Sequence, residues 1–177
     1  SIGEVAPGSN GVIFTPWLHG NRSPFEDPAA RGIFFNLSLE TGKRAMIRAV
    51  VEGIIFHQRW LLESILKNFE VSKPLRCTGG GALSPAMTQI LSDIIGYPVV
   101  SVGDPQNCGA AGAAFCAAIG LGWISGFGAV KNFVALGGEL RPNLEHKAVY
   151  DRQFLIFKNL YTRNRKLFKT LNSQIGG

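Results

Sequence analysis

The strongest local signal in the sequence is the segment Cys77-Thr78-Gly79-Gly80-Gly81-Ala82-Leu83-Ser84-Pro85. Ser84 and Pro85 are typical first residues of a helix, because serine caps free backbone N–H groups and proline suits the first turn. Consecutive glycines let a ligand approach the bare backbone, and the N-terminus of a helix favours an anion. The pattern predicts a nucleotide or phosphate site on a strand–turn–helix unit. A tight turn that holds no ligand is the alternative.

This unit extends beyond the glycines. Residues 75–78 predict a short buried strand, and residues 98–102 predict a second strand after a helix that stops at Gly96. A strand–helix–strand unit of this length implies that its two strands pair in parallel. A helix of small residues over 108–120, which we expect to be buried, completes a βαβα unit over residues 75–120.

Two long helices are predicted outside this unit. Residues 1–40 predict loop with one short strand at Val12–Thr15, and residues 41–68 predict a long helix with Thr41 as its N-cap. The apolar face of that helix comprises Met46, Val50, Ile54, Leu61, Ile65 and Phe69. Residues 147–171 predict a C-terminal helix that docks on the body through an apolar stripe. The stripe comprises Tyr150, Phe154, Phe157, Tyr161, Phe168 and Leu171. Together, residues 1–177 predict a single α/β domain.

The composition is that of a folded protein. Of 177 residues, 46% are hydrophobic and 17% are charged, which excludes an intrinsically disordered chain. The net charge of +6 arises in residues 141–177, which carry eight basic and two acidic residues. We interpret them as the solvated face of a helix rather than a nucleic-acid or membrane surface. The uncharged stretch over 105–130 is rich in Ala and Gly and does not predict a membrane span.

The cysteines and the start of the chain carry weaker signals. Three cysteines without CxxC spacing, and no recognisable signal peptide, predict free thiols in a cytoplasmic protein. Because the sequence starts at Ser1 rather than Met, we expect it to be a fragment.

Candidate catalytic groups are few. The candidate general bases are the carboxylates of Asp27, Glu52, Asp93 and Asp104. They are isolated in the sequence, and Asp93 is expected to face solvent. The histidines show no metal-ligand spacing, and His57 is expected to be packed or half-exposed within its helix. We therefore expect neither a catalytic residue nor a metal site in this chain.

The glycine turn alone leaves two nucleotide classes to consider. A P-loop is excluded because no Gly-Lys-Ser/Thr follows the glycines. The dinucleotide fingerprint nearly fits, with Gly79, Gly81 and then Ser84 where Gly or Ala is usual. Asp104 follows the next strand, near the expected place of a ribose-binding acid. A dinucleotide-binding dehydrogenase domain therefore stays open on this evidence.

Several segments, taken in order, resemble the C-terminal domain of the FGGY carbohydrate kinases, and most closely its xylulose kinase branch. They are Leu18-His19-Gly20-Asn21-Arg22-Ser23-Pro24 with Asp27-Pro28 and Ala30-Arg31-Gly32, Arg48-Ala49-Val50-Val51-Glu52-Gly53, Gly79-Gly80-Gly81-Ala82 with Ser84-Pro85, Gly109-Ala110-Ala111-Gly112-Ala113-Ala114, and His146-Lys147-Ala148-Val149-Tyr150. Each motif is weak alone, but the ordered set covers about residues 8–170.

This resemblance implies a fold and a reaction. The fold would be a ribonuclease-H-like, actin-like ATPase C-terminal domain, whose first strands we do not find in this sequence. The reaction would be transfer of the γ-phosphoryl group of ATP to a sugar hydroxyl with Mg2+, the sugar being a ketopentose such as D-xylulose. The family resemblance also implies that the catalytic aspartate and most sugar contacts lie in an N-terminal kinase domain, which we expect as a partner.

The resemblance also implies the ATP-binding residues. They are Gly79, Gly80, Gly81, Ala82 and Ser84 near the adenosine and α-phosphate, and Asn36 near the phosphates. The family usually has glycine in place of Asn36, whose side chain takes room that a phosphate would use. A non-catalytic, pseudokinase-like binding module is therefore the alternative function. A domain with few strands also exposes a sheet edge, so we expect a homo-oligomer.

Overall fold

The structure is a computed structural model that describes residues 2–172. Its helices are α1 (Lys43–Ile65), α2 (Pro85–Ile95), α3 (Cys108–Gly120) and α4 (Lys147–Asn172). Its strands are β1 (Ile13–Thr15), β2 (Ile33–Phe35), β3 (Leu75–Cys77), β4 (Val99–Val102) and β5 (Leu136–Leu140). Short 3-10 turns connect several of these elements, and one of them covers Gly80–Leu83.

The chain divides into two compact units. Among the described residues, the first contains residues 2–71, 93–96 and 143–172, and the second contains residues 72–92 and 97–142. The assignment of the whole chain to one kinase domain stays a prediction.

In the first unit, α1 packs against a small two-stranded antiparallel sheet. Strands β1 and β2 pair antiparallel, with Phe14 opposite Phe34, and all three residues of β1 are buried. The approach of α1 to β1 depends on Gly53, because a Cβ atom at that position would lie 2.1 Å from the carbonyl oxygen of Phe14. No side chain fits there, so a glycine is required for this contact.

The predicted apolar face of α1 is for the most part exposed, although Val50 is partly buried against the core cluster around Phe14. The residues of α1 that are buried are Ala45, Arg48, Ala49, Glu52, Gly53, Ile55 and Phe56. From the predicted face, Ile54, Leu61, Ile65 and Phe69 are exposed instead. Small residues such as Ala49 and Gly53 let β1 come close to the helix, whereas Ile55 and Phe56 supply the large apolar side chains of the buried surface.

The start of α1 also differs from the prediction. Gly42 is the N-cap, and it makes no side-chain capping bond. The hydroxyl of Thr41 instead accepts a hydrogen bond from the backbone N–H of Ser38 at 2.9 Å. Thr41 therefore closes the preceding turn and does not cap the helix.

Helix α4 docks in the first unit through its aromatic stripe, as predicted. The ring of Phe56 on α1 lies 6.1 Å from Tyr150, 6.1 Å from Phe154 and 5.7 Å from Phe157. Leu171 does not share this burial, since 77% of it is exposed. Its position lies about 60° around the helix from Phe168, which takes it off the stripe.

The second unit contains a three-stranded sheet in the order β3-β4-β5. Strands β3 and β4 pair in parallel, which confirms the pairing predicted from the glycine turn. Strand β5, which pairs antiparallel with β4, is not predicted from the sequence because two central glycines weaken its strand signal. Strand β2 in the first unit is not predicted either, because it is only three residues long and lies beyond a Pro-rich loop.

Helix α3 has the predicted bounds but contains no buried residue, so the predicted burial is wrong. An apolar sequence leads to burial only where another element covers the helix. Alanine and glycine side chains offer little apolar area to drive such packing.

Among residues 2–172, no helix is both long enough and apolar enough to cross a membrane.

Candidate functional site

The glycine turn begins where β3 ends. Gly79 has φ 83° and ψ 179°, a conformation that is essentially restricted to glycine. Its backbone N–H donates a hydrogen bond to the carbonyl oxygen of Pro105 at 2.7 Å. The turn then closes on itself, as the N–H of Ala82 donates to the oxygen of Gly79 at 3.0 Å. This arrangement fixes the turn against the loop that follows β4.

Ser84 caps α2, as the sequence predicts. Its hydroxyl accepts a hydrogen bond from the backbone N–H of Met87 at 3.4 Å, and Pro85 is the first helical residue. The hydroxyl of Thr88 donates to the carbonyl oxygen of Ser84 at 3.1 Å. The helix N-terminus, with its partial positive charge, is thereby held next to the glycines.

The glycine backbone is bare. A Cβ atom at Gly79 would meet nothing within 4 Å, and one at Gly80 would meet only the Gln106 side chain at 4.0 Å. A Cβ atom at Gly81 would lie 3.6 Å from Cε of Met87. Space is therefore available beside all three glycines. Ala82 is buried, so it supports the turn from inside.

The turn lies at the edge of the sheet where a ligand is expected. Strands β3 and β4 are parallel, so their carboxyl ends meet at one edge. The glycine turn follows β3, and the loop at residues 103–107 follows β4. Ligands of open α/β sheets bind outside the carboxyl ends of the strands.

Asn36 belongs to the first unit, whereas the other five predicted ATP-binding residues form one turn in the second. Asn36 follows β2 and has φ 65°, the left-handed conformation that a glycine would adopt without strain. Its side-chain Nδ2 donates a hydrogen bond to the carbonyl oxygen of Gly11 at 3.2 Å. The amide is therefore bound to the protein's own backbone.

Glu52 is not isolated, so that expectation from the sequence is wrong. Its carboxylate is buried and accepts four hydrogen bonds, from Gly8 N at 3.1 Å, Ser9 Oγ at 2.6 Å, Arg48 Nε at 2.7 Å and Tyr150 OH at 3.1 Å. Burial, and secondarily the charge of Glu52, raises the pKa of Tyr150. The i,i+4 spacing of Arg48 and Glu52 was the sequence signal for this cluster.

Asp93 does not face solvent, so that prediction is wrong. It is buried near the end of α2 and accepts a hydrogen bond from the backbone N–H of Asn143 at 2.8 Å. Its second oxygen lies 2.8 Å from Nδ1 of His146. Asp27 accepts a hydrogen bond from the hydroxyl of Tyr161 at 3.1 Å. Both carboxylates thus bind neighbouring segments.

Asp104 is exposed, and its two oxygens accept from Nδ2 of Asn107 at 3.0 and 2.9 Å. It therefore braces the loop after β4. Within residues 2–172, no group of three His, Cys, Asp or Glu side chains is arranged to hold a metal ion.

Comparison with known proteins identifies the family. The profile of the FGGY family of carbohydrate kinases, C-terminal domain, matches residues 2–121. The chain belongs to the FGGY family. This confirms the resemblance and, with it, the ribonuclease-H-like, actin-like ATPase fold of the FGGY C-terminal domain.

Xylulose kinases are prominent among the similar proteins. The chain is 31% identical over 175 residues to xylulose kinase from Bacillus subtilis, covering 96% of this chain and 34% of the relative. It is 32% identical over 159 residues to gluconokinase from the same species, covering 89% of this chain and 31% of the relative. The structure of ligand-bound xylulose kinase from Lactobacillus acidophilus superposes with a TM-score of 0.82 at 29% identity, covering 96% of this chain and 35% of that one.

This FGGY chain spans about a third of the length of these relatives. Family membership argues against the dinucleotide-binding alternative, and so does the sheet. A dinucleotide-binding domain continues with parallel strands. Here β4 has the antiparallel β5 as its second neighbour.

Proposed function

We propose that this chain is the nucleotide-binding C-terminal part of an ATP-dependent carbohydrate kinase. The observation that carries the proposal is the bare glycine backbone beside the capped N-terminus of α2. Free N–H groups and the helix dipole at such a turn favour an anionic ligand. Membership of a carbohydrate kinase family indicates that this ligand is a nucleoside phosphate.

In this proposal, Gly80, Gly81 and Ser84 contact the adenosine end of ATP, and Gly79 and Ala82 complete the turn. Asn36 stays a separate candidate ATP-binding residue in the first unit. Mg2+ would be held through the phosphate oxygens of ATP. When bound, Mg2+ supplies charge neutralisation during phosphoryl transfer.

The sugar is proposed to be a ketopentose such as D-xylulose. Similarity to xylulose kinases supports this choice, and similarity to a gluconokinase makes gluconate the first competitor. The general base and most sugar contacts are assigned to an N-terminal kinase domain, because the relatives are about three times as long as this chain. We also expect the protein to be cytoplasmic.

Calorimetric titration with ADP, ATP and NAD tests the proposal. The parent chain should bind ADP and ATP but not NAD. In Gly81→Val, the added side chain should fill the space beside the turn and weaken ADP binding about tenfold or more, at an unchanged melting temperature. Leu83→Ala is the matched control, because Leu83 lies in the same turn with 55% of its surface exposed. Binding of NAD without ADP would overturn the kinase assignment.

A non-catalytic, pseudokinase-like module is the second candidate, favoured by Asn36 in place of the usual glycine. It predicts ADP binding with no sugar phosphorylation by the chain together with its N-terminal domain. A coupled ADP-release assay with xylulose, ribulose, gluconate and glycerol distinguishes the two functions and identifies the sugar.

A further inference from the structure

The second unit contains a cavity of about 410 Å3 to which β3, β5 and the 3-10 turn Phe127–Asn132 contribute. Its walls are formed by Arg76, Phe127, Val130, Lys131, Val134 and Leu136. This volume lies within the range of about 300–1,000 Å3 that is usual for small-molecule sites. None of residues 79–84 belongs to its walls, so the cavity is separate from the glycine turn.

The basic residues of this unit differ in whether they have partners. There are four of them, and Lys73 lies over an aromatic ring, with its Nζ 4.6 Å from the ring centre. Arg141 pairs with Glu139 at 2.9 Å. In the part of the chain that the structure describes, the side chains of Arg76 and Lys131 make neither a salt bridge nor a hydrogen bond. Both of these unpaired cations line the cavity.

The cavity has no countercharge of its own. Among the residues that the structure describes, no carboxylate lines it. The two acidic residues of the second unit are engaged elsewhere, since Asp104 accepts from Asn107 and Glu139 accepts from Arg141. Like charges that face one cavity repel each other, and an anion between them offsets that repulsion. An anionic ligand therefore supplies what the cavity lacks.

A neighbouring cavity of about 350 Å3 has the opposite charge. It shares Val130 and Val134 with the first cavity, but the charged side chain among its described wall residues is that of Asp104. The two cavities have similar volumes and two apolar residues in common, so charge is what distinguishes them. An organic anion is attracted to the cavity of Arg76 and Lys131 and repelled from the other.

The remaining walls define the rest of the ligand. Phe127 and Leu136 are 71% and 49% exposed, so they offer apolar surface that a ligand can cover. A phosphate monoester carries a charge of about −1.5 to −2 at pH 7, which matches one guanidinium and one ammonium group. The planar guanidinium also suits bidentate hydrogen bonding to phosphate oxygens.

We propose that this cavity is a binding site for a phosphate monoester whose organic part is apolar. Arg76 and Lys131 bind the phosphate, and Phe127 and Leu136 cover the organic part. The site goes beyond the proposed function, because it shares no wall residue with the glycine turn and needs no nucleotide.

Calorimetric titration with 1-naphthyl phosphate tests the ligand class. The chain should bind it with a dissociation constant below about 1 mM. Three partial ligands should bind at least about fivefold more weakly, namely 1-naphthol without the charge, 1-naphthoate with a single charge, and inorganic phosphate without the apolar part. Equally tight binding of 1-naphthol, or of inorganic phosphate, would overturn the proposal, because one half of the site would then contribute nothing.

Charge variants test the site. Arg76→Gln and Lys131→Gln should each weaken 1-naphthyl phosphate binding about tenfold, because each removes one charge-assisted contact. The matched control is Arg141→Gln, at a basic residue of the same unit outside the cavity, and it should stay within about twofold of the parent. All three side chains are exposed, so the melting temperature should not change. An equal loss in Arg141→Gln would mean that only the net charge matters, which contradicts a defined site.

An aromatic pair tests the apolar wall. Phe127→Ala should weaken 1-naphthyl phosphate binding severalfold, because the naphthyl group loses a ring that it covers. Trp123→Ala is the matched control, since Trp123 is also exposed but does not line the cavity. Equal affinities in the two variants would contradict the assigned wall.

Cross-titration with ADP separates this inference from the proposed function. Lys131→Gln should leave ADP affinity within about twofold of the parent, and Gly81→Val should do the same for 1-naphthyl phosphate. Loss of both ligands in both variants would make the cavity part of the nucleotide site and would overturn a separate site. If 1-naphthyl phosphate binds as expected but ADP does not bind, the proposed function fails and the present inference holds.

Discussion

The indole Nε1–H of Trp17 donates a hydrogen bond to Nδ1 of His57 at 3.3 Å. Because an indole N–H only donates, Nδ1 must carry no proton. Trp17 is almost fully buried, and its ring lies 5.3 Å from Phe157 and 5.5 Å from Tyr161. Burial lowers the pKa of His57, against an opposing hydrogen bond to the backbone of Ser23. The folded state therefore contains a neutral imidazole.

Stability should fall as the pH drops below the pKa of an unfolded histidine, about 6.5. Below that pH, the unfolded chain takes up a proton that the folded chain resists, so the free energy of unfolding decreases until the folded pKa is reached. Melting temperatures between pH 7.5 and 5.0 measure this. His57→Gln, which keeps an acceptor for Trp17, should show a flatter profile. His19→Gln is the matched control substitution, at an exposed histidine. A parent-like slope in His57→Gln would assign the pH dependence to other groups.

Gly53→Ala should destabilise the chain by at least about 3 kcal/mol, because the new Cβ would overlap a backbone oxygen that cannot move away cheaply. The matched control is Gly112→Ala in α3, where a Cβ would meet nothing within 4 Å. The free energy of unfolding of that variant should rise by about 0.5–1 kcal/mol, because alanine has a higher helix propensity than glycine. Urea unfolding of both variants gives the comparison, and a mild effect at Gly53 would contradict the close approach of α1 to β1.

Gly79 and Gly80 should respond differently to the same substitution. Gly79→Ala places a side chain on a backbone conformation that is essentially restricted to glycine. It should lower the free energy of unfolding by about 1–3 kcal/mol. Gly80→Ala should stay within about 0.5 kcal/mol of the parent, since its backbone does not require glycine and its surroundings are open. Thermal unfolding measures both, and equal costs would mean that the turn relaxes on substitution.

This chain alone should phosphorylate no sugar. The carboxylates that the sequence suggested as bases are engaged in structural contacts, with Glu52 bound to Arg48 and Asp93 bound to His146. A coupled assay of ADP release with xylulose should stay at background. Turnover of even about 1 per second, at the low end for enzymes, would show that a base has been overlooked.

We expect self-association through the edge of β3, which is a terminal strand of its sheet. The N–H of Leu75 donates inward to Pro98, so by alternation the N–H of Arg76 points to the outer edge. Light scattering at micromolar concentration should detect a dimer. Arg76→Pro removes an outward N–H and should shift the chain to monomer, whereas Arg76→Ala should not. A dimer that survives Arg76→Pro would use another surface.

The glycine turn was predictable because its signals are local. A strand, three glycines and a Ser-Pro helix start act within nine residues, so β3, the turn, α2 and β4 all follow from the sequence. The buried face of α1 was not predictable in this way. Ala49 and Gly53 are covered because β1 lies against them, and no local pattern encodes that contact.

The same distinction explains the site. The open space at Gly79 and the cap at Ser84 are properties of adjacent residues. Apart from Arg48, the partners of Glu52 come from residues 8, 9 and 150, and Asp93 binds Asn143 and His146. A carboxylate that looks isolated in sequence is recognisable as structural only when distant segments are brought together.

Because Gly8 contacts α4, the first unit can be completed only after the C-terminal helix has been synthesised. The side-chain amide of Gln153 donates to the carbonyl oxygen of Gly8 at 2.6 Å, across 145 positions of the chain. The first unit therefore stays incomplete until α4 has left the ribosome. At about 5–20 residues per second, the 71 residues that follow Val71 up to Pro142 delay its completion by about 4–14 s. Throughout that interval the aromatic residues of α4 are not yet available to cover Phe56 and its neighbours. We therefore expect chaperones to bind a nascent chain of this length.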